Sequence, residues 1–273
     1  MGLIQGLDIL TKEIIEKKSF EIKGTKTKFI SIVPHSGLII PSNLFDNLIL
    51  SDPLLEEMIN DSDPFTNLFN LEEIEGKSFI YNIHRSAGDA NRYTNDNSFI
   101  KGKSFRGHNY LKKEIEKNNF KYLCDLANNY SAKISDEISK FKEKYNGPLF
   151  LIHLHAMEEF DPLKKSNRPD LCLSVGKNNK IISDYFKEIV VASFEDVYSG
   201  SLDFEINNPF NGLDKTNRLI DEHSDPKNNV HSFMIEFNKR IFMNEFKLNY
   251  DNFQELKIKL HSAINNFLDY INR

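Results

Sequence analysis

The sequence predicts an α/β protein, three α/β/α layers around a mixed central sheet. Three observations predict it. The apolar runs Phe29–Val33, Leu149–Ala156 and Val230–Asn238 read as core strands, each closed by turn or polar residues. Apolar residues at three- and four-residue spacing from Leu123 to Phe141 and from Leu256 to Ile271 mark two amphipathic helices. A chain of 273 residues with 40% hydrophobic and 12% aromatic residues can bury a large core. No internal repeat or linker separates these elements, so residues 1–273 read as a single domain.

Taken in order, Leu7, Leu10, Ile14 and Ile15 predict an amphipathic helix over 6–18, and a charged β segment follows from Ser19 to Lys26. Pro34 and Gly37 stop the strand Phe29–Val33 and leave His35 at its carboxyl end, where open α/β sheets place ligand sites. A neutral imidazole there can ligate zinc, or simply be a hydrogen-bonded loop histidine. Pro53 suits a helix start. In Asp61-Ser62-Asp63-Pro64, local chemistry favours helix N-capping for both carboxylates, with a turn toward His35 as the alternative.

Lys77–His84 alternates as a strand and delivers Arg85-Ser86-Ala87-Gly88-Asp89-Ala90-Asn91-Arg92. Arginine's planar fork suits a substrate carboxylate, and a second arginine can polarise a carbonyl; an internal Arg–Asp ion pair explains either one alone. Tyr93–His108 reads as a surface loop, and Gly147-Pro148 ends the long helix. His153 and His155 share one face of their strand, and each buried ring brings two nitrogens that need partners. Asn167–Ser174 makes a turn into a short strand, Asn179–Val197 is helical in pattern, and Leu202–Ile206 alternates like a strand before the turn-rich Asn207–Gly212. Glu236 is a charge among apolar neighbours; it is either functional or points to solvent from an edge strand.

A net charge of -5 and a pI near 5.9 supply no basic field for nucleic acid. No apolar run is long enough to span a bilayer, and the N-terminus lacks a signal-peptide core. Two cysteines, Cys124 and Cys172, suit a reducing compartment, so the expected location is cytoplasmic.

Read together, Val33-Pro34-His35-Ser36-Gly37 with Pro41, Asp63, Arg85…Asp89-Ala90-Asn91-Arg92, Leu154-His155, Asn208-Pro209-Phe210-Asn211-Gly212 and Ile235-Glu236…Arg240…Met243-Asn244-Glu245 resemble the N-formylglutamate amidohydrolase family. That family is in turn similar to the zinc carboxypeptidase and aspartoacylase type of site. The resemblance runs from about residue 29 to 245 and implies a hydrolase-like, zinc carboxypeptidase-related α/β/α fold. It implies zinc held by His35, Asp63 and His155, with Asp61 as the competing carboxylate. It further implies Asn91 and Arg92 on the substrate's carboxylate, Arg85 on the scissile carbonyl, and Glu236 as general base. The implied reaction is zinc-dependent hydrolysis of an N-acyl amino acid, N-formyl-L-glutamate first. The alternatives are a related amidohydrolase or carboxypeptidase on another acyl amino acid or peptide, and a non-catalytic metal or amino-acid binder. Departures from the family pattern, His153, Ala156, the stretch Leu173-Ser174-Val175-Gly176 and Leu213, fall around the pocket rather than on the implied ligands or base.

Overall fold

The computed structural model describes residues 8–10, 18–49, 51–104, 106–161, 164–176, 179–212, 217–244 and 247–272. Its strands are β1 (Asp8–Leu10), β2 (Phe20–Lys23), β3 (Phe29–Val33), β4 (Ile39–Pro41), β5 (Gly76–Tyr81), β6 (Leu149–Met157), β7 (Phe160–Asp161), β8 (Ser166–Asn167), β9 (Leu171–Ser174), β10 (Phe204–Ile206), β11 (Val230–Asn238), β12 (Met243–Asn244) and β13 (Lys247–Leu248). The helices are α1 (Asp52–Asp61), α2 (Lys117–Lys144), α3 (Asp184–Tyr198), α4 (Arg218–His223) and α5 (Tyr250–Ile271).

Seven strands form the central sheet in the order β10-β9-β11-β6-β3-β5-β2. The four middle strands, β11, β6, β3 and β5, run parallel, while β2 and β9 join antiparallel to their neighbours, so the sheet is mixed. Middle strands covered on both faces must be apolar throughout, and every residue of β3, β6 and β11 is buried.

Helices cover each face. On one, Phe267 of α5 meets Phe150 and Phe233 edge-on, with ring centroids 4.7 Å and 5.8 Å apart, and Phe194 of α3 meets Phe233 at 6.2 Å. On the other, α2 lays Leu123, Ala127, Tyr130 and Ile134 against the sheet, and the Tyr130 hydroxyl donates to the Phe79 carbonyl at 2.8 Å. Each fully buried side chain of this size contributes on the order of 1.5–3 kcal/mol.

Three expectations change. Residues 1–7 and 11–17 of the expected first helix lie outside the described residues, and residues 8–10 pair as β1, parallel to β4. Ladder hydrogen bonds to a neighbouring edge outweigh a short helical stripe there. The helix expected from Asn179 starts at Asp184, because the Ile181 carbonyl accepts the Ser232 N–H at 2.6 Å and cannot enter a helix. The edge-strand alternative for Glu236 fails as well, since β11 lies between β6 and β9. Cys124 and Cys172 are free thiols.

Candidate active site

The parallel strands β3, β5, β6 and β11 all deliver polar residues at their carboxyl ends, around one cavity of about 320 Å³. His35 follows β3, and Arg85 and Asp89 follow β5; His155 and Glu236 lie near the ends of β6 and β11. The turn after β3 is fixed by close packing: the Ile39 N–H donates to the Asn82 carbonyl at 3.0 Å. A Cβ on Gly37 would lie 2.2 Å from the Asn82 carbonyl carbon, so only glycine fits that approach.

Asp63 reaches the site because its N–H donates to the His35 carbonyl at 2.9 Å, which ties the end of α1 to the β3 turn. Its Oδ2 lies 3.2 Å from Nδ1 of His35 and 2.9 Å from Nδ1 of His155. The capping expectation is therefore overturned for Asp63: two buried histidines hold its side chain instead. Asp61 is the last residue of α1 and so does not stand at a helix start. It accepts the Tyr110 hydroxyl at 2.5 Å and pairs with Lys101 at 2.8 Å.

One ligand atom from each of His35, Asp63 and His155 lies within 4.8 Å of the others, and all three residues are buried. Burial opposes the charge of Asp63, but the two histidines hold its carboxyl well below the usual range. His155 is pushed down by burial against the pull of Asp63, which favours the neutral ring.

Asp89 completes the arrangement. It accepts from Nε2 of His35 at 2.7 Å, from Nη2 of Arg85 at 2.9 Å and from the Asn91 N–H at 2.9 Å. Although burial works against ionisation, His35 and Arg85 keep Asp89 well below the ordinary carboxylate range, so it acts as an acceptor. Nε2 of His35 then donates, and in a neutral ring the lone pair of Nδ1 faces Asp63. Two acceptors 3.2 Å apart need a proton or a cation between them. His155 adds a buried Nε2 with no hydrogen-bond partner among the described residues. Nitrogen and carboxylate donors in this arrangement, with a histidine anchored by an outer carboxylate, fit a divalent metal such as zinc.

Glu236 faces the same cavity, 7% exposed. Burial and the charge of Asp63 push its carboxyl well above the usual range, against the pull of Arg85, Arg168 and Lys239. Burial disfavours the charge of Arg85, but Asp89 and Asp63 more than offset this. Arg92 lines the cavity with its Nε 4.0 Å from Asp89. Asn91 lines it too, but its side chain accepts the Leu219 N–H at 3.2 Å and donates to Asn217 at 3.3 Å, so it also ties down the start of α4. His35, Asp63, Arg85, Asn91, Arg92, His155 and Glu236 thus line one cavity, while Asp61 and His153 do not. Asp89 was legible only as part of a motif, although an acid four residues after an arginine and near a candidate ligand is the signal for an orienting carboxylate. Lys101 and Arg168, also on the cavity, carried no such signal.

His153 is the exception among the histidines. It is fully buried, and neither ring nitrogen has a hydrogen-bond partner among the described residues. Burial pushes its pKa well below the ordinary value, which keeps the ring neutral.

Comparison with known proteins identifies the fold and the family. The chain is similar over 93% of its length to a crystallised N-formylglutamate amidohydrolase from Ralstonia eutropha, at 15% identity, with 98% of that chain covered and a TM-score of 0.77. A gene product of Agrobacterium tumefaciens matches at 14% identity and a TM-score of 0.76, over 93% of this chain and 96% of that one. These likenesses show the fold. No curated protein sequence matches the chain significantly. The family model of N-formylglutamate amidohydrolase matches residues 27–243, which hold every residue of the site described above, and the chain belongs to that family.

Proposed function

We propose that the protein hydrolyses the formyl amide of N-formyl-L-glutamate to formate and L-glutamate, with a divalent metal, zinc first, held by His35, Asp63 and His155. The observation that carries this reading is the position of Glu236. It is a buried carboxyl set beside His155 and facing the cavity that Arg85 and Arg92 share. When bound, zinc lowers the pKa of water at an open coordination position and polarises a carbonyl oxygen.

The chain's own residues do the rest. Arg92 pairs with the substrate's α-carboxylate through its planar fork, with Asn91 beside it, and so fixes the amide in the cavity. Arg85, held by Asp89, stabilises the negative oxygen that develops on the carbonyl. Glu236 accepts a proton from the attacking water as the new C–O bond forms. It then gives that proton to the nitrogen as the C–N bond breaks, so glutamate leaves as a neutral amine. A protein that only bound metal or amino acid would need neither the base nor Arg85.

Formate release from N-formyl-L-glutamate, measured before and after chelation and with zinc restored, tests the reading. Hydrolysis that stops on chelation and returns with zinc supports it. A folded, zinc-loaded protein that releases no formate contradicts it.

A further inference from the structure

Arg168, a cavity cation, has no part in the reaction above. The guanidinium of Arg168 stands over the Phe210 ring, 5.5 Å from its centroid, and both residues line the cavity. Its Nε is buried without a hydrogen-bond acceptor among the described residues, and the Asp161 carboxylate stays 3.7 Å away, beyond a hydrogen bond. The other cations near it are engaged: Lys239 pairs with Glu158 at 2.5 Å, Lys101 with Asp61 at 2.8 Å and Arg85 with Asp89 at 2.9 Å.

The backbone around Arg168 is fastened on both sides. Its N–H donates to the Glu159 carbonyl at 2.8 Å. Its own carbonyl and that of Pro169 accept the side-chain amide of Asn238, two residues beyond Glu236, at 3.3 Å and 3.0 Å. Asp170 then pairs with Arg240 at 2.8 Å. An arginine on a fixed backbone, stacked on an aromatic ring, presents its fork with little freedom left to lose on binding.

We propose that Arg168 and Phe210 form a second anion subsite and are the residues that read the side-chain carboxylate of N-formyl-L-glutamate. This rests on the reading that Arg92 takes the α-carboxylate of an acyl amino acid. A buried guanidinium donor left unpaired by a neutral side chain penalises the neutral substrate, by roughly 10- to 100-fold.

The test compares acid and amide in two ways on the zinc-loaded protein. One arm measures kcat/KM for N-formyl-L-glutamate and N-formyl-L-glutamine; the other measures calorimetric Kd for L-glutamate and L-glutamine. The acid should be preferred in both arms, and Arg168→Met should bring both ratios close to one, while Arg92→Ala lowers acid and amide together. If Arg168→Met melts early, Arg168→Lys, which keeps the charge and loses the planar stack, should retain the fold and only part of the preference. A wild-type protein with no preference for the acid overturns the proposal, and so does an Arg168→Met protein whose ratios match the wild type. If neither formyl compound is hydrolysed, the hydrolysis reading fails, and the glutamate and glutamine affinities still decide the role of Arg168.

Discussion

Glu236 and His155 are direct partners across the parallel ladder of β11 and β6. Neighbouring strands lie about 4.8 Å apart, so this register sets the carboxyl beside the imidazole without help from any loop. A slip of one residue in either strand would turn its side chain to the opposite face. The two groups with the most exacting geometry therefore sit on the most rigid elements, and Arg85, Arg92 and Arg168 come from the segments between strands.

Metal content separates the carboxylates. Asp63→Ala should lose most of its zinc, while Asp61→Asn keeps it, because Asp61 is turned toward Tyr110 and Lys101. Asp89→Asn should weaken zinc about 10- to 100-fold by releasing the His35 ring. Elemental analysis and a competition titration with a chelating dye check all three. Equal zinc loss from Asp61→Asn and Asp63→Ala would refute the assignment.

Arg92→Ala should raise KM for N-formyl-L-glutamate strongly, and Arg92→Lys should recover little of it, since an ammonium cannot form the bidentate pair. Steady-state kinetics with a substrate whose α-carboxyl group is amidated gives the control. Turnover of that substrate as fast as the free acid would remove Arg92 from the clamp.

Gly37→Ala should destabilise the protein by about 1–3 kcal/mol or more, because the added Cβ meets the Asn82 backbone at 2.2 Å and no flexible side chain can yield. Gly147→Ala, with nothing within 4 Å, is the matched control. Melting curves of the two variants side by side make the comparison, and equal melting temperatures would show that the turn after β3 can relax.

The Tyr93 hydroxyl donates to the Asp221 carboxylate of α4, and this bond with burial and the Asp221 charge pushes the phenol up to about 12. A pKa raised in the folded state stabilises the protein fully below the unfolded value of about 10 and ceases to do so as pH rises through the folded value. The melting-temperature gap between wild type and Tyr93→Phe should therefore be constant at neutral pH and close between about pH 10 and 12. Much of the side chain meets solvent, so the gap is small. A gap that widens over that range would contradict the bond.

Much of this was legible in the sequence for a simple reason. Buried strands read as unbroken apolar runs, so His35, His155 and Glu236 stand out against β3, β6 and β11, and α2 and α5 show in their stripes. Asp63 was not separable from a helix cap on local chemistry, because what decides it is a backbone bond to His35, a contact across the fold. Asp89 has its role through His35, 54 positions away, and Arg168 through Phe210 and Asn238. Such partners are set by strand order, which the periodicity of one segment does not encode. The three-residue β1 is too short for any periodicity to show.

The central claim is that Glu236 moves the proton, and Glu236→Gln tests it most directly. Glutamine keeps the shape and cannot accept a proton from the attacking water. The variant should keep its melting temperature and its zinc, bind N-formyl-L-glutamate, and lose kcat by on the order of 10²–10⁴. A folded, zinc-loaded Glu236→Gln protein that hydrolyses N-formyl-L-glutamate at a near-normal rate would contradict the account.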